Sequence, residues 1–274
     1  MTQTAPPERQ QKSAAAPRFS DHLHNLNRAQ KSGVGVPAYT RWVNRRLARG
    51  VAAGAAVIGL GPNGVTVISG AVSLVALIFL IVLPPAVGTG LLVAALLALG
   101  YVLDSADGQV ARLTGRAGPT GEWLDHVVDA FRTPAIHLAC AVATFVHYSD
   151  NLVLMAGAMG YALLSSGQFM SQILAEQLVG REPARTGGKV TRPQEQESSG
   201  LTKSFVLLPN DMGMVCWCFA LWGVTPAFTV AYLVLFALNG AHSMISMRRK
   251  YVRLQQVTAL AHGDAGNARN EGGA

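Results

Sequence analysis

The sequence predicts an all-α, polytopic membrane protein with six transmembrane helices preceded by an amphipathic interfacial helix. Three observations carry that reading. Half of the 274 residues are hydrophobic and only 14% are charged, against about 25% in soluble domains. Residues 50–103 include no Asp, Glu, Lys or Arg. Basic residues gather in alternate connections between the apolar runs, which is the pattern that sets membrane topology. The net charge of +7 therefore reads as a topology signal and as contact with anionic lipid or phosphate, with no nucleic-acid partner.

Residues 1–35 are rich in Gln, Ala, Pro, Ser and charge and are predicted to be disordered. They lack the apolar run of a secretory signal. The stretch "YTRWVNRRLARG" at 39–50 alternates basic and apolar residues at near-helical spacing. Trp42, Val43 and Leu47 would face lipid and Arg41, Arg45 and Arg49 a polar side, as in an interfacial helix. A membrane helix needs about 20 mostly apolar residues. The predicted spans are 65–83, 84–103, 121–147, 151–175, 205–222 and 223–247. The fifth is short and contains Asp211. Residues 255–274 read as a disordered tail, leaving 36–254 as one membrane domain. Cys140, Cys216 and Cys218 lie in apolar stretches without metal-ligand spacing and read as small buried hydrophobes.

Lys and Arg precede span one, lie between spans two and three and between four and five, and follow span six. The connections at 84–85, 148–151 and 222–226 carry none. Six spans place all the basic segments on one side, which the positive-inside rule makes cytoplasmic. The expectation is a multi-pass protein of the cell membrane with both termini and the functional cleft inside.

Four aspartates then stand where spans two and three meet the cytoplasm, in "DSADGQVARLTGRAGPTGEWLDHVVD" at 104–129. Asp104, Asp107 and Ala111 recur at i, i+3, i+7, with Gly108 and Arg112 close to that face. Gly121, Asp125 and Asp129 recur at i, i+4, i+8. Each set forms a stripe on a helix, and Gly115 and Gly118-Pro119 supply a turn between them. Four carboxylates in one cleft repel strongly. Two divalent cations would balance them, and carboxylate oxygens suit Mg²⁺ or Mn²⁺. A metal pair is suited to phosphoryl displacement. Gly108, Ala111 and Gly121 leave room for a ligand near the backbone, and Arg112 can fork onto a phosphate.

These residues resemble the signature of the CDP-alcohol phosphotransferases: Asp104-x2-Asp107-Gly108-x2-Ala111-Arg112-x8-Gly121-x3-Asp125-x3-Asp129. Pro62-Asn63-Gly64-Val65-Thr66 is similar to the entry of that family's first span, and the resemblance covers about 39–253. It implies a metal-dependent transfer in which an alcohol attacks a CDP-linked donor and CMP leaves. Asp104, Asp107 and Asp125 would hold two Mg²⁺ ions, with Mn²⁺ as a substitute. Asp129 would be both a metal neighbour and the general base. Gly108, Ala111, Arg112 and Gly121 would contact the cytidine diphosphate, with Pro62, Asn63 and Thr66 bordering the nucleotide. The resemblance also implies a homodimer.

The leading expectation is transfer of a phosphatidyl group from CDP-diacylglycerol to a small polar alcohol. The alternative is transfer of a phospho-alcohol from a small CDP-alcohol to a lipid. A cation transporter is the distant third, since transport would ask for polar residues continuing across the membrane. Arg132, one turn past Asp129, grips a phosphate or acceptor oxygen or pairs with Asp129. Asn210 and Asp211 contact the acceptor or another helix. Ser165, Ser166, Gln168, Ser171 and Gln172 read as helix–helix hydrogen-bonding groups, and His137 as a satisfied buried group.

Overall fold

The computed structural model describes residues 19–28, 35–186 and 204–271, and the regular structure among them is helical throughout. Helix α1 is Phe19–Arg28. A π-helical turn, Thr40–Asn44, leads into α2, Arg45–Val57. Then come α3 (Pro62–Val82), α4 (Val87–Thr114), α5 (Pro119–His147) and α6 (Leu152–Thr186). Helix α7 is the short Met212–Cys218, flanked by 3-10 turns at Leu208–Asn210 and Phe219–Leu221. Helix α8 is Thr225–Glu271.

Among the described residues, four helices are long and apolar enough to cross a membrane: α3, α4, α6 over Leu152–Gly180 and α8 over Thr225–Thr258. Helix α5 has the length, at 29 residues, or about 44 Å at 1.5 Å per residue. Its first half carries Glu122, Asp125, Asp129 and Arg132, which dilutes its apolar character. The expected span at 205–222 is not one continuous helix. Pro209 lies in the first 3-10 turn, and Asp211 is extended (φ −80°, ψ 130°) and caps α7 by accepting from the Gly213 amide at 3.1 Å.

Of the terminal segments expected to be disordered, residues 1–18, 29–34 and 272–274 lie outside the described residues. Residues 19–28 form α1, whose Leu23 and Leu26 pack against Ala48, Ala52 and Val110. The apolar spacing Phe19, Leu23, Leu26 is helical, and one short apolar stripe suffices because α2 offers an alanine-lined surface. The last helix continues to Glu271, through most of the tail that composition marks as disordered.

Helix α4 is the central element, packed by α2, α3 and α7. Its closest approach to α3 is at Gly100, where a Cβ would lie 2.3 Å from Ser73 Oγ. Ser69 Oγ donates there to the Gly100 carbonyl at 2.9 Å. An aromatic core of Trp222, Phe219, Phe228 and Tyr232 fills the space against Leu80, Val93 and Leu97, and Cys140, Cys216 and Cys218 are free and buried in it. Outward residues such as Leu74, Ile78, Leu91, Leu138, Phe145, Leu163 and Val230 are exposed, the arrangement lipid chains require. Gly115 ends α4 with φ 65°, a left-handed conformation natural to glycine. Gly118 and Pro119 then start α5, so both aspartate stripes fall at the same end of the bundle.

Candidate active site

The turn of α4 into α5 brings the predicted stripes together. Carboxylate oxygens of Asp104, Asp107 and Asp125 all lie within 4.8 Å of one another. Asp107 is 6% exposed and is held by Thr66, whose hydroxyl donates to Asp107 Oδ2 at 2.6 Å. Thr66 sits one turn into α3, after Pro62 at the helix start, where proline costs no hydrogen bond. Asn63 faces the start of α5: a Cβ on Gly121 would lie 3.4 Å from Asn63 Oδ1. The first turn of α3 thus meets both stripes, through Thr66 on one and Asn63 on the other.

Asp129 is not part of that trio but adjoins it through Arg132. It pairs with Arg132, which also lies 2.7 Å from Asp104 Oδ1 and donates to Ser69 Oγ at 2.9 Å. Arg132 is 8% exposed. A buried guanidinium that bridges two carboxylates and a hydroxyl has its fork satisfied. Of the readings open to Arg132, pairing with Asp129 is the one observed, and Asp104 is a second partner that sequence spacing did not suggest.

Beside the trio is a cavity of about 220 Å³ lined by Asp104, Asp107, Gly108 and Arg112, together with Thr40, Arg45, Ser105 and Gln109. Arg45 comes from α2, so two arginines and two aspartates face one space, which suits a phosphate bound beside a cation. Its carrier, α2, is seated on α4 by Asn44, whose amide donates to Ser105 Oγ at 2.5 Å and the Tyr101 carbonyl at 3.3 Å. Sequence reading placed Arg45 on the polar side of the interfacial helix, away from lipid, and did not bring it to this cavity. The buried Asn44 in the same turn was the available signal.

Three acidic oxygens from adjacent helices form a hard, all-oxygen donor set that fits a divalent cation such as Mg²⁺. Asp211, in contrast, is 1% exposed and is engaged within the fold. It accepts from the Thr40 amide at 2.7 Å and the Thr40 hydroxyl at 2.8 Å. The hydroxyls of Thr40 and Tyr101 also lie 2.6 Å apart. Ser165 and Ser166 donate to the Ala162 carbonyl of their own helix, and Gln172 to Glu176, instead of bridging helices. His137 is paired as expected, its Nδ1 2.7 Å from the Tyr232 hydroxyl.

Residues 60–192 match the family model described as CDP-alcohol phosphatidyltransferase. No curated protein matches the chain.

Proposed function

We propose, from the match of residues 60–192 to the family model described as CDP-alcohol phosphatidyltransferase, that the chain moves a phosphatidyl group from CDP-diacylglycerol to a small polar alcohol and releases CMP. Family members are phosphotransferases of substituted phosphate groups. The observation that carries the reading is the carboxylate trio of Asp104, Asp107 and Asp125 opening beside a cavity that also presents Arg45 and Arg112.

In this reading Asp104, Asp107 and Asp125 hold two Mg²⁺ ions, with Asp129 next to them. The ions supply charge neutralisation for the diphosphate and for departing CMP. Arg45 and Arg112 grip diphosphate oxygens, and Gly108 and Ala111 keep the α4 surface low enough for the nucleotide. Gly121, Pro62, Asn63 and Thr66 border it from the start of α3 and α5. Asp129 takes the proton from the acceptor hydroxyl. That oxygen bonds to the phosphorus carrying the diacylglycerol. The bond from this phosphorus to the bridging oxygen breaks, and CMP keeps the electron pair. Arg132 fixes the direction in which Asp129 points.

The same reading has six membrane crossings, with α5 and the 205–222 region completing the set, and an interfacial helix at 40–57. Both termini and the cleft lie on the cytoplasmic side of the cell membrane, and the protein works as a homodimer in phospholipid synthesis. The test is CMP release by the purified chain with CDP-diacylglycerol, Mg²⁺ and a panel of alcohols. CMP formed with one alcohol, and abolished by EDTA and by Asp129→Asn, is the expected result. No CMP with any alcohol, but turnover of small CDP-alcohols with a diacylglycerol acceptor, would reverse the roles of donor and acceptor.

A further inference from the structure

We propose that the acceptor is an uncharged, multiply hydroxylated alcohol, bound in a cavity of about 250 Å³ between α5, α6 and α8. The inference rests on the phosphatidyl-transfer reading above. Thr133 and His137 line this cavity and follow Asp129 at i+4 and i+8 on α5, so they share its face. The cavity therefore begins about one helical turn, some 5 Å, from the proposed base. At about 250 Å³ it is smaller than the roughly 300–1,000 Å³ of drug-sized sites, a space on the scale of a small molecule.

Its wall combines apolar groups (Leu164, Phe169, Met212 and Val215) with polar groups that carry no charge. Gln168, Asn210, Asn239 and Ser243 contribute to the wall, and among the described residues no Asp, Glu, Lys or Arg does. An alcohol carrying a phosphate or carboxylate would enter without a counter-charge, which is costly in a desolvated site. Two buried groups in the wall also lack a hydrogen-bond partner: the Tyr161 hydroxyl and Gln168 Oε1. Tyr161 is 3% exposed, and its ring is stacked on His137 at 3.7 Å and 18°, so its hydroxyl is held in place. Orphaned polar atoms in a cavity call for a ligand that completes them. Tyr161 and Gln168 are seven residues, or two turns, apart on α6. Their backbone positions are therefore about 10 Å apart along the helix, a spacing on the scale of one molecule with several hydroxyls. Alcohol O–H groups can donate to Gln168 Oε1; a fully ionised phosphate cannot.

The experiment uses the full chain in detergent with CDP-diacylglycerol and Mg²⁺. Glycerol and myo-inositol are compared with their monophosphates and with serine, and CMP release is the signal. The expected result is saturable turnover with a neutral polyol. Tyr161→Phe and Gln168→Leu should each raise its KM about five- to tenfold, the effect of one lost hydrogen bond. The KM for CDP-diacylglycerol should not move. Preference for a phosphorylated alcohol or serine, or an unchanged polyol KM in both variants, overturns the inference and leaves the transfer reading intact. Thermal shifts with millimolar polyol and with CDP are read in parallel on wild type and the double variant. A CDP shift without a polyol shift also overturns the inference alone. Absence of both the CDP shift and CMP release overturns the transfer reading beneath it. A preserved CDP shift in the variants shows that they are folded.

Discussion

Replacing Arg132 by Met should strip the site of its internal counter-charge and destabilise the whole bundle. Methionine keeps much of the apolar stem, so the change is mainly electrostatic. In the native protein Arg132 is 8% exposed, lies 2.7 Å from Asp104, pairs with Asp129 and donates to Ser69. Removing one partner of a buried ion pair costs about 3–5 kcal/mol, because the remaining charge is stranded. Here two carboxylates are stranded together, beside Asp107 and Asp125, so the upper half of that range is expected. Denaturant unfolding in detergent, followed by tryptophan fluorescence, measures the loss. Without metal it should be full; with saturating Mg²⁺ it should shrink, since cations at the trio replace part of the missing charge. Adding Asp129→Asn to Arg132→Met should restore about 1–2 kcal/mol, a coupling of the size expected for neighbours in one network. A cost below about 1 kcal/mol, or a double variant whose loss equals the sum of the two single losses, would refute the counter-ion argument.

Thr66→Val removes the hydroxyl that donates to Asp107 Oδ2 at 2.6 Å. Loss of such an outer partner should weaken the apparent Mg²⁺ affinity about 10- to 100-fold, read from the Mg²⁺ dependence of CMP release; an unchanged midpoint would dissociate Thr66 from the metal site. Gly100→Ala would put a Cβ 2.3 Å from Ser73 Oγ, forcing α3 and α4 apart at a cost of about 1–3 kcal/mol in thermal unfolding. Ser73→Ala on that background should recover most of it, because the next neighbours, the Ser69 carbonyl oxygen and Ser73 Cβ, stand at 3.4 and 3.5 Å. Arg45→Gln should raise the KM for the CDP-linked donor about tenfold, the loss of one charge-assisted contact, with little change in Mg²⁺ dependence. An equal rise for donor and acceptor would place Arg45 outside the diphosphate cavity.

What could be read from the chain in advance divides along a physical line. Helices α3 and α4 were legible because residues 50–103 carry no charge at all, and the aspartate stripes because helical spacing is a local property. Chemistry that depends on segments far apart in the chain was not. The pairing of Arg132 with Asp104 spans the α4–α5 turn, and Arg45 reaches the site only because Asn44 docks α2 on α4. Asp211 illustrates the same limit from the other side. Its acidity in an apolar stretch left open an acceptor contact or a polar contact with another helix, and it is engaged in capping α7 and by Thr40, 171 residues away. The break at 205–222 follows from that capping, since an extended Asp211 cannot continue a helix. A buried acid therefore says only that a partner exists. Among four of these aspartates, the partner separates two jobs. Asp211 accepts hydrogen bonds from Gly213 of its own helix start and from Thr40. Asp104, Asp107 and Asp125 keep oxygens turned toward one another, an arrangement that repulsion would disperse unless the cleft were built to be neutralised by something that enters it.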